Sequence, residues 1–560
     1  MKFLKKLSPV KCLVFALVFT LIFTALSSAI LHDWGNIGIS DVELQTAAGN
    51  KVVARVYKPD SATAESPAPA VVFTHGLTVN KESYAQYGLE LARRGFVVIT
   101  PDMLNHGDSE VTDAGTYLAP YTVSDAYGAF AAVRYAGTLD YVDKAQIGVA
   151  GHSAGGQASN NCVRLDDAEG TGLISAIYLV SSDPVYTDEE GNWANIYGAR
   201  DFGVYYTLYD HVYFSGVGPD GAKLPAQQWL GSESAKSLFA FGQDPSEFEG
   251  DAVVPGHTYV GEVDGQQVIR RVNAAEEIHP KPQGGSNALA AVCDFFQDVF
   301  EAPHYIVGQS QHFVMLTVSN LLGLLGVLMC CVFGVGCLTR LKFFESLRAG
   351  ENAVLRPAPD KKGKVWFWVL TVLNCVFAFC SISAIFFLGF GYCCSTVWAQ
   401  QTSNIYALWA LLNGIFMLIT SFVSYALYGR KNGATMENWG LKISLKNLFK
   451  SILVALAACA GVFAIVWVAN NLFRVDYHYY LWGLKNIPLE NLGVFFVYLP
   501  MYLVFGLAVS IAVNSAYHCK IGKEPEWVND LFFAAMNTIP ALAITVIGYY
   551  LYAQSGLKPF

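Results

Sequence analysis

The stretch Gly151–Gly155, with the sequence Gly-His-Ser-Ala-Gly, is the clearest candidate for chemistry in the chain. An apolar run that ends at Ala150 predicts a strand before it, and small residues after it predict the start of a helix. A serine is a good nucleophile only when a base takes its proton and its hydroxyl stands clear of the backbone. A G-x-S-x-G turn between a strand and a helix gives that exposure, because its small residues tolerate the strained geometry. Ser153 is therefore the predicted nucleophile.

The elements around this turn predict an α/β fold. Two alternating runs joined at Gly49-Asn50 are typical of a β-hairpin. Further along, predicted strands alternate with predicted helices; the strands cover 70–74, 96–100, 147–150, 174–180 and 202–206, and the helices 82–94 and 123–137. Such alternation indicates a mainly parallel sheet covered by helices on both faces.

Polar residues follow these strands, at the edge of the sheet where active sites are built. His75-Gly76 follows the first buried strand, the segment Asp102–Asp108 the second, and Ser153 the third. This order resembles the α/β-hydrolase superfamily over about residues 41 to 301. The resemblance implies an α/β-hydrolase sheet and a catalytic order of nucleophile, acid and histidine. It says almost nothing about the substrate.

In that order the base has to be a histidine that follows Ser153. His211, His257 and His279 remain as candidates, since His304, His312, His478 and His518 lie at or within the apolar C-terminal part. We favour His279, because a predicted helix from Ser286 to Phe300 follows it, as in the last loop and helix of the superfamily. His257 is the main alternative, although its surroundings are also typical of a solvated turn.

Three aspartates are candidates for the acid. Asp210 follows the strand that begins at Phe202, where the superfamily usually places its acid, and it is our first choice. Asp183 follows the preceding strand, which some members use. Asp244 follows a predicted late strand, 237–241.

Two backbone N–H groups are expected to stabilise the developing oxyanion. One belongs to Ala154, at the start of the helix after the nucleophile, and the other to Leu77, in the loop after His75-Gly76. The segments 184–200 and 215–232 are expected to cap the site. No cofactor is expected, and no metal-ligand spacing is present.

Charge and hydropathy divide the chain of 560 residues into different parts. Residues 32–311 contain 15 Lys/Arg and 36 Asp/Glu, a net charge of −21, although only 14% of the whole chain is charged. Such a negative domain disfavours polyanionic partners such as nucleic acid. We expect a hydrolase domain over 32–311, between an N-terminal anchor at 1–31 and a membrane domain at 312–560.

The apolar runs are long enough to cross a bilayer as helices. The first, from Cys12 to about Leu31, follows four lysines and is expected to be an uncleaved anchor, with cleavage after Ala29 as the alternative. Six further spans are predicted, at 313–338, 365–393, 405–428, 451–473, 493–515 and 531–553. Loops 339–364 and 429–450 contain seven and five Lys/Arg, against none in 394–404. The positive-inside rule thus places the hydrolase domain outside the cytoplasm, on a multi-pass cell-membrane protein.

The predicted reaction is acyl transfer to water on a small-molecule, lipid or peptide substrate. An ester is the first choice and a peptide or amide the second. The alternative is a non-catalytic hydrolase-like module that signals through the membrane helices. The spans contain no Asp, Glu, Lys or Arg, so we interpret them as an anchor or interaction platform in the lipid bilayer. The sequence leaves the oligomeric state open.

Overall fold

The computed structural model describes residues 8–112, 124–348, 361–389 and most of 397–517, together with isolated positions beyond 517. Within 397–517 the exceptions are residues 399, 438, 440, 479, 482 and 483. The predicted last span, 531–553, lies largely outside the described residues.

Nine strands form one sheet in the order β1-β2-β4-β3-β5-β6-β7-β9-β8. The pairs from β4 through β3, β5, β6 and β7 to β9 are parallel, and the two edges, β1-β2-β4 and β9-β8, are antiparallel. The strands are β1 Ile37–Gln45, β2 Lys51–Pro59, β3 Ala68–Thr74, β4 Val97–Pro101, β5 Val142–His152, β6 Ile174–Val180, β7 Asp201–Tyr209, β8 Thr258–Val263 and β9 Gln266–Ile278. The predicted α/β fold is confirmed.

Helices cover both faces of the sheet. They are α2 Ala85–Arg93, α3 Ser124–Tyr127, α4 Ala129–Thr138, α5 Ala154–Glu169, α6 Glu233–Phe239 and α7 Ser286–Val299. Side chains of the central strands alternate between two apolar cores, as the strand period of two requires. Val72 belongs to the core under α4 and α5, whereas Val71 and Phe73 belong to the core under α2 and α7.

Two predicted elements differ from the structure. The expected late strand at 237–241 is wrong, because Ser232 accepts a hydrogen bond from the Ala235 N–H and caps the helix α6 instead. The predicted helix at 123–137 is divided between α3 and α4, since Gly128 has a left-handed φ of 91°. Residue 123 itself lies outside the described residues.

Six helices of the described chain are long and apolar enough to cross a membrane. They are α1 Pro9–Leu31, α8 Phe313–Leu338, α9 Lys361–Phe387, α10 Gln401–Ser424, α11 Leu445–Phe473 and α12 Leu492–Asn514. The first of them packs along α8, where the Ser27 hydroxyl donates to the Ser319 Oγ at 2.9 Å. Adding a side chain to Gly326 would make it collide with Thr20, so this packing is close.

The sheet domain rests on the ends of α1 and α8. Leu31 at the end of α1 and Phe313 at the start of α8 are both buried in the core under α2 and α7. Glu90 of α2 accepts hydrogen bonds from the backbone N–H groups of His312, at 2.6 Å, and of Phe313, at 3.1 Å. Apolar packing and hydrogen bonds therefore fix the domain to both helices.

Candidate active site

Ser153 occupies a sharp turn between β5 and α5. Its backbone has φ 57° and ψ −121°, a conformation that costs a non-glycine residue free energy and is found mainly at functional sites. The positions at both ends of the turn have no room for a side chain, so they require glycine. A Cβ on Gly151 would overlap the carbonyl of Gly155, and one on Gly155 would overlap the carbonyl of Thr74 in β3.

His279 connects the serine to an aspartate. Its Nε2 lies 2.8 Å from the Ser153 Oγ, and its Nδ1 lies 2.8 Å from the Asp210 Oδ2. Asp210 follows β7 and His279 follows β9, and these strands are parallel neighbours. All three residues are buried, so their hydrogen bonds are shielded from water. The arrangement can move a proton from the serine to an imidazole that the carboxylate orients.

Asp210 is held as a carboxylate. Burial by itself would raise the pKa of this carboxyl, but the hydrogen bonds from His279 and from two backbone N–H groups outweigh it and lower the pKa. The N–H groups of Val212 and Tyr213 each donate to Oδ1 at 2.8 Å, and the Thr207 hydroxyl donates to Oδ2, also at 2.8 Å. The side chain is thus fixed in position as well as in charge.

His152, the residue before the nucleophile, supports the histidine loop. Its Nε2 lies 3.0 Å from the carbonyl oxygen of His279, and its Nδ1 lies 2.7 Å from the Tyr84 hydroxyl. Nε2 therefore carries the proton and donates to the carbonyl, while the tyrosine donates to Nδ1. Burial, with the neighbouring His279, lowers the pKa of His152 to about 3, so the ring stays neutral. This histidine therefore holds the His279 backbone in position.

The predicted oxyanion donors lie at the same edge of the sheet. Ala154 is the first residue of α5, where backbone N–H groups have no partner inside the helix. Thr74 of β3 pairs with Gly151 of β5, which places the segment after β3, including Leu77, beside the nucleophile turn. The Gly76 carbonyl accepts a hydrogen bond from His75 Nδ1 at 2.6 Å. This bond fixes the peptide plane that carries the Leu77 N–H.

The alternative acids and base have other hydrogen-bond and ring partners. Asp183 accepts the Phe214 N–H at 2.8 Å and so holds a capping segment. Asp244 caps a single turn through Ser246, and both Asp244 and His257 are exposed. The histidine ring instead packs edge-on against Tyr259, with 4.6 Å between ring centroids.

The two expected capping segments meet beside the site. Each contains a small antiparallel bridge, Thr187–Trp193 in one and Val217–Lys223 in the other. Trp229 of the second donates its indole N–H to the Tyr186 hydroxyl of the first at 2.8 Å. Between the acid and these segments, the ring of Tyr213 contacts the ring of His279 at a centroid distance of 5.6 Å.

Some supporting residues escaped the sequence analysis. Thr207 binds Asp210 from three positions before it, and Tyr84 reaches the site from the turn before α2. A hydroxyl three residues before an aspartate could have suggested the first contact. No local pattern indicates the second. Among the described residues, no group of three or more His, Cys, Asp or Glu side chains could hold a metal ion.

This part of the chain is similar to a known protein family. The model of the alpha/beta hydrolase family matches residues 71–286. A search of curated proteins gave no match. Similar solved structures include a hypothetical protein from Pseudomonas aeruginosa, with 23% identity and a TM-score of 0.23, over 26% of this chain and 43% of that one. The chain therefore spans less than half the length of that relative.

Two other solved structures are matched over most of their length. The esterase of Pyrobaculum calidifontis is 17% identical, over 51% of this chain and 92% of that one, with a TM-score of 0.30. The thermophilic carboxylesterase EstE1, cloned from a metagenomic library, is 16% identical, over 55% and 94%, with a TM-score of 0.29.

Proposed function

Because the chain contains an α/β-hydrolase domain, we propose that it is a serine hydrolase that cleaves a carboxylic ester through an acyl-enzyme on Ser153. The observation that carries the proposal is the hydrogen-bond chain in which His279 lies 2.8 Å from both Ser153 Oγ and Asp210 Oδ2. Nucleophile, base and acid are then Ser153, His279 and Asp210.

The proposed reaction has two halves. His279 takes the Ser153 proton as the oxygen attacks the substrate carbonyl, and the N–H groups of Leu77 and Ala154 stabilise the oxyanion. The imidazolium, held by Asp210, gives its proton to the leaving alcohol, and the acyl group stays on the serine. Water, deprotonated by the same histidine, then releases the acid. An amide or peptide fits the same steps and is the second choice.

We further propose that this chemistry takes place outside the cytoplasm, at a cell membrane. The basic loops support this orientation, since the loop 429–450 contains five Lys/Arg. Arg474, in the segment between α11 and α12, pairs with Asp41 of β1 at 3.0 Å. This contact supports an arrangement in which that segment and the hydrolase domain lie on the same side of the bilayer. The net charge of −21 over 32–311 favours neutral or cationic substrates.

A fluorophosphonate probe tests the proposal, because it reacts with an activated serine. The detergent-solubilised full chain should be labelled and should hydrolyse p-nitrophenyl esters, and Ser153→Ala should abolish both. Ser159→Ala is the matched control. The Ser159 hydroxyl lies on α5, the helix that follows Ser153, and donates to the Gly155 carbonyl at 2.9 Å, so labelling should persist.

The outcome that contradicts the proposal is a folded, monodisperse wild-type protein that the probe does not label. A non-catalytic, hydrolase-like sensor would then be the better interpretation. A panel of esters and peptide substrates, assayed with unlabelled wild-type protein, separates the first choice of bond from the second.

A further inference from the structure

The segment 75–82, which carries the proposed oxyanion donor Leu77, is anchored at its far end by buried ion pairs. The backbone N–H of Lys81 donates to Asp102 Oδ1 at 2.7 Å. Its Nζ donates to Asp102 Oδ2 at 2.7 Å and to Asp108 Oδ2 at 2.5 Å. The Lys81 side chain is 1% exposed and that of Asp102 is fully buried. This end of the segment is therefore held by charge in a region of low dielectric constant.

A third carboxylate and a second cation of the hydrolase domain join this cluster. Glu82 Oε1 lies 3.1 Å from Lys81 Nζ and 3.6 Å from a guanidinium nitrogen of Arg55. The side chains of Glu82 and Arg55 are 2% and 1% exposed. Arg55 is shared with a further carboxylate, that of Asp41, at 2.7 Å. The three carboxylates around Lys81 therefore face only two cations of the hydrolase domain, one of them shared, so their negative charge is not fully compensated there.

The missing cation comes from the membrane domain. Lys485, in the segment between α11 and α12, places its Nζ 3.4 Å from Glu82 Oε2 and 3.4 Å from Asp108 Oδ1. Its side chain is only 16% exposed. Lys485 thus adds a third cation beside the carboxylates around Lys81. Both of these carboxylates also contact Lys81.

We propose that Lys485 is a positioning residue for hydrolysis, which holds the oxyanion-binding segment 75–82 in place from the membrane domain. The proposal rests on the proposed function of Ser153. Under it, the membrane helices are part of the catalytic apparatus, because the active-site geometry depends on a side chain that they carry.

The effect of Lys485 should appear in the transition state. Leu77 lies four residues before Lys81, and Thr78 between them has a left-handed φ of 70° that only the surrounding contacts maintain. Without Lys485, repulsion between Glu82 and Asp108 loosens the cluster, and the Leu77 N–H moves away from the oxyanion position. The ground-state ester makes little use of that donor, so kcat should fall while KM changes little.

The test compares three variants of the full chain in detergent, with p-nitrophenyl butyrate as substrate. Lys485→Met should lower kcat by about 5- to 50-fold and leave KM within about twofold, less than the loss of an oxyanion donor outright. A trifluoromethyl ketone, which forms a tetrahedral adduct with the serine, should lose affinity by the same factor. Lys485→Arg keeps the charge and should recover most of kcat.

Arg474→Gln is the matched control. It removes another ion pair between the same segment and the hydrolase domain, but Asp41 keeps its partner Arg55 at 2.7 Å. Its kcat should stay near that of the wild type. The proposal is overturned by an unchanged kcat in Lys485→Met, by an equal loss in Arg474→Gln, or by a rise in KM alone.

The two proposals fail differently. If the wild-type chain neither hydrolyses the ester nor reacts with a fluorophosphonate, the proposed function fails and the role of Lys485 fails with it. If the wild type is active through Ser153 and Lys485→Met is equally active, only the role of Lys485 is refuted.

Discussion

Asp210 shows how a buried carboxyl is kept charged at a cost that its surroundings offset. Burial raises its pKa, whereas four hydrogen bonds, from His279, Thr207 and two backbone N–H groups, favour the ionised form. The same bonds fix the orientation of the carboxylate. These hydrogen bonds form only when the chain around Asp210 has its folded conformation. The residues next to the aspartate in the sequence do not indicate that conformation.

Asp210→Asn is expected to lower kcat of the full chain by about 10³- to 10⁴-fold, since an amide can hold the imidazole in the wrong tautomer. Thermal unfolding should show a folded protein, because asparagine keeps the size of the side chain. Asp244→Asn, at an exposed position, is the control and should leave kcat within about twofold. A large loss in the control, with none in Asp210→Asn, would move the acid to Asp244.

The site was predictable to the extent that its residues lie at strand ends in a known order. Ser153 could be placed by its glycines, but the acid remained divided among three aspartates. Each of them follows an apolar run, and only the hydrogen bonds of the fold distinguish them. The contacts of His152 to Tyr84 and to the His279 carbonyl likewise follow from the fold and not from the neighbouring sequence.

At the scale of elements, the buried parallel strands were the easiest to predict and the late strands the hardest. β3 and β4 are continuous apolar runs bounded by turns, so their pattern is clear. β9 carries Arg270 and Arg271 in its middle, and Arg270 is fully buried, with its guanidinium bound to backbone carbonyls and Asn195. A charged residue inside a strand hides the pattern, because sequence gives no sign of the partners that bury it.

In the turn between β5 and α5, position 155 has no room for a side chain. Gly155→Ala should destabilise the full chain by about 1–3 kcal/mol or prevent its folding, because the added methyl group meets the carbonyl of Thr74 in β3. Gly231→Ala is the control, since the space around that residue is open. For each variant, the yield of monodisperse protein and the midpoint of thermal unfolding are measured. Equal midpoints for the two variants would refute the close contact.

At the scale of the whole molecule, apolar helices and an acidic enzyme domain form one structure. The sequence predicted the six long apolar helices of the described residues, because a long uncharged apolar run is typical of a helix that crosses a bilayer. It could not predict that the segment between α11 and α12 contacts the hydrolase domain, since Lys485 and Glu82 are about 400 positions apart and no local pattern relates them. Such ion pairs become visible only in three dimensions.

The proposed orientation can be measured with single cysteines. Lys223→Cys, exposed in the hydrolase domain, should react with a membrane-impermeant maleimide added to intact cells. Lys446→Cys, exposed at the start of α11, should react only after the cells are opened. The unsubstituted chain gives the background of its own cysteines. Labelling of Lys446→Cys but not of Lys223→Cys in intact cells would show the opposite orientation.

The way in which the hydrolase domain joins α1 and α8 has a consequence for the origin of the molecule. Asp33, just after α1, and His312, just before α8, lie 3.5 Å apart through their side chains. The entrance and exit of the domain are thus neighbours, a geometry that permits one domain to be inserted into a loop of another. Insertion of the hydrolase domain between these two helices is therefore compatible with their packing against each other.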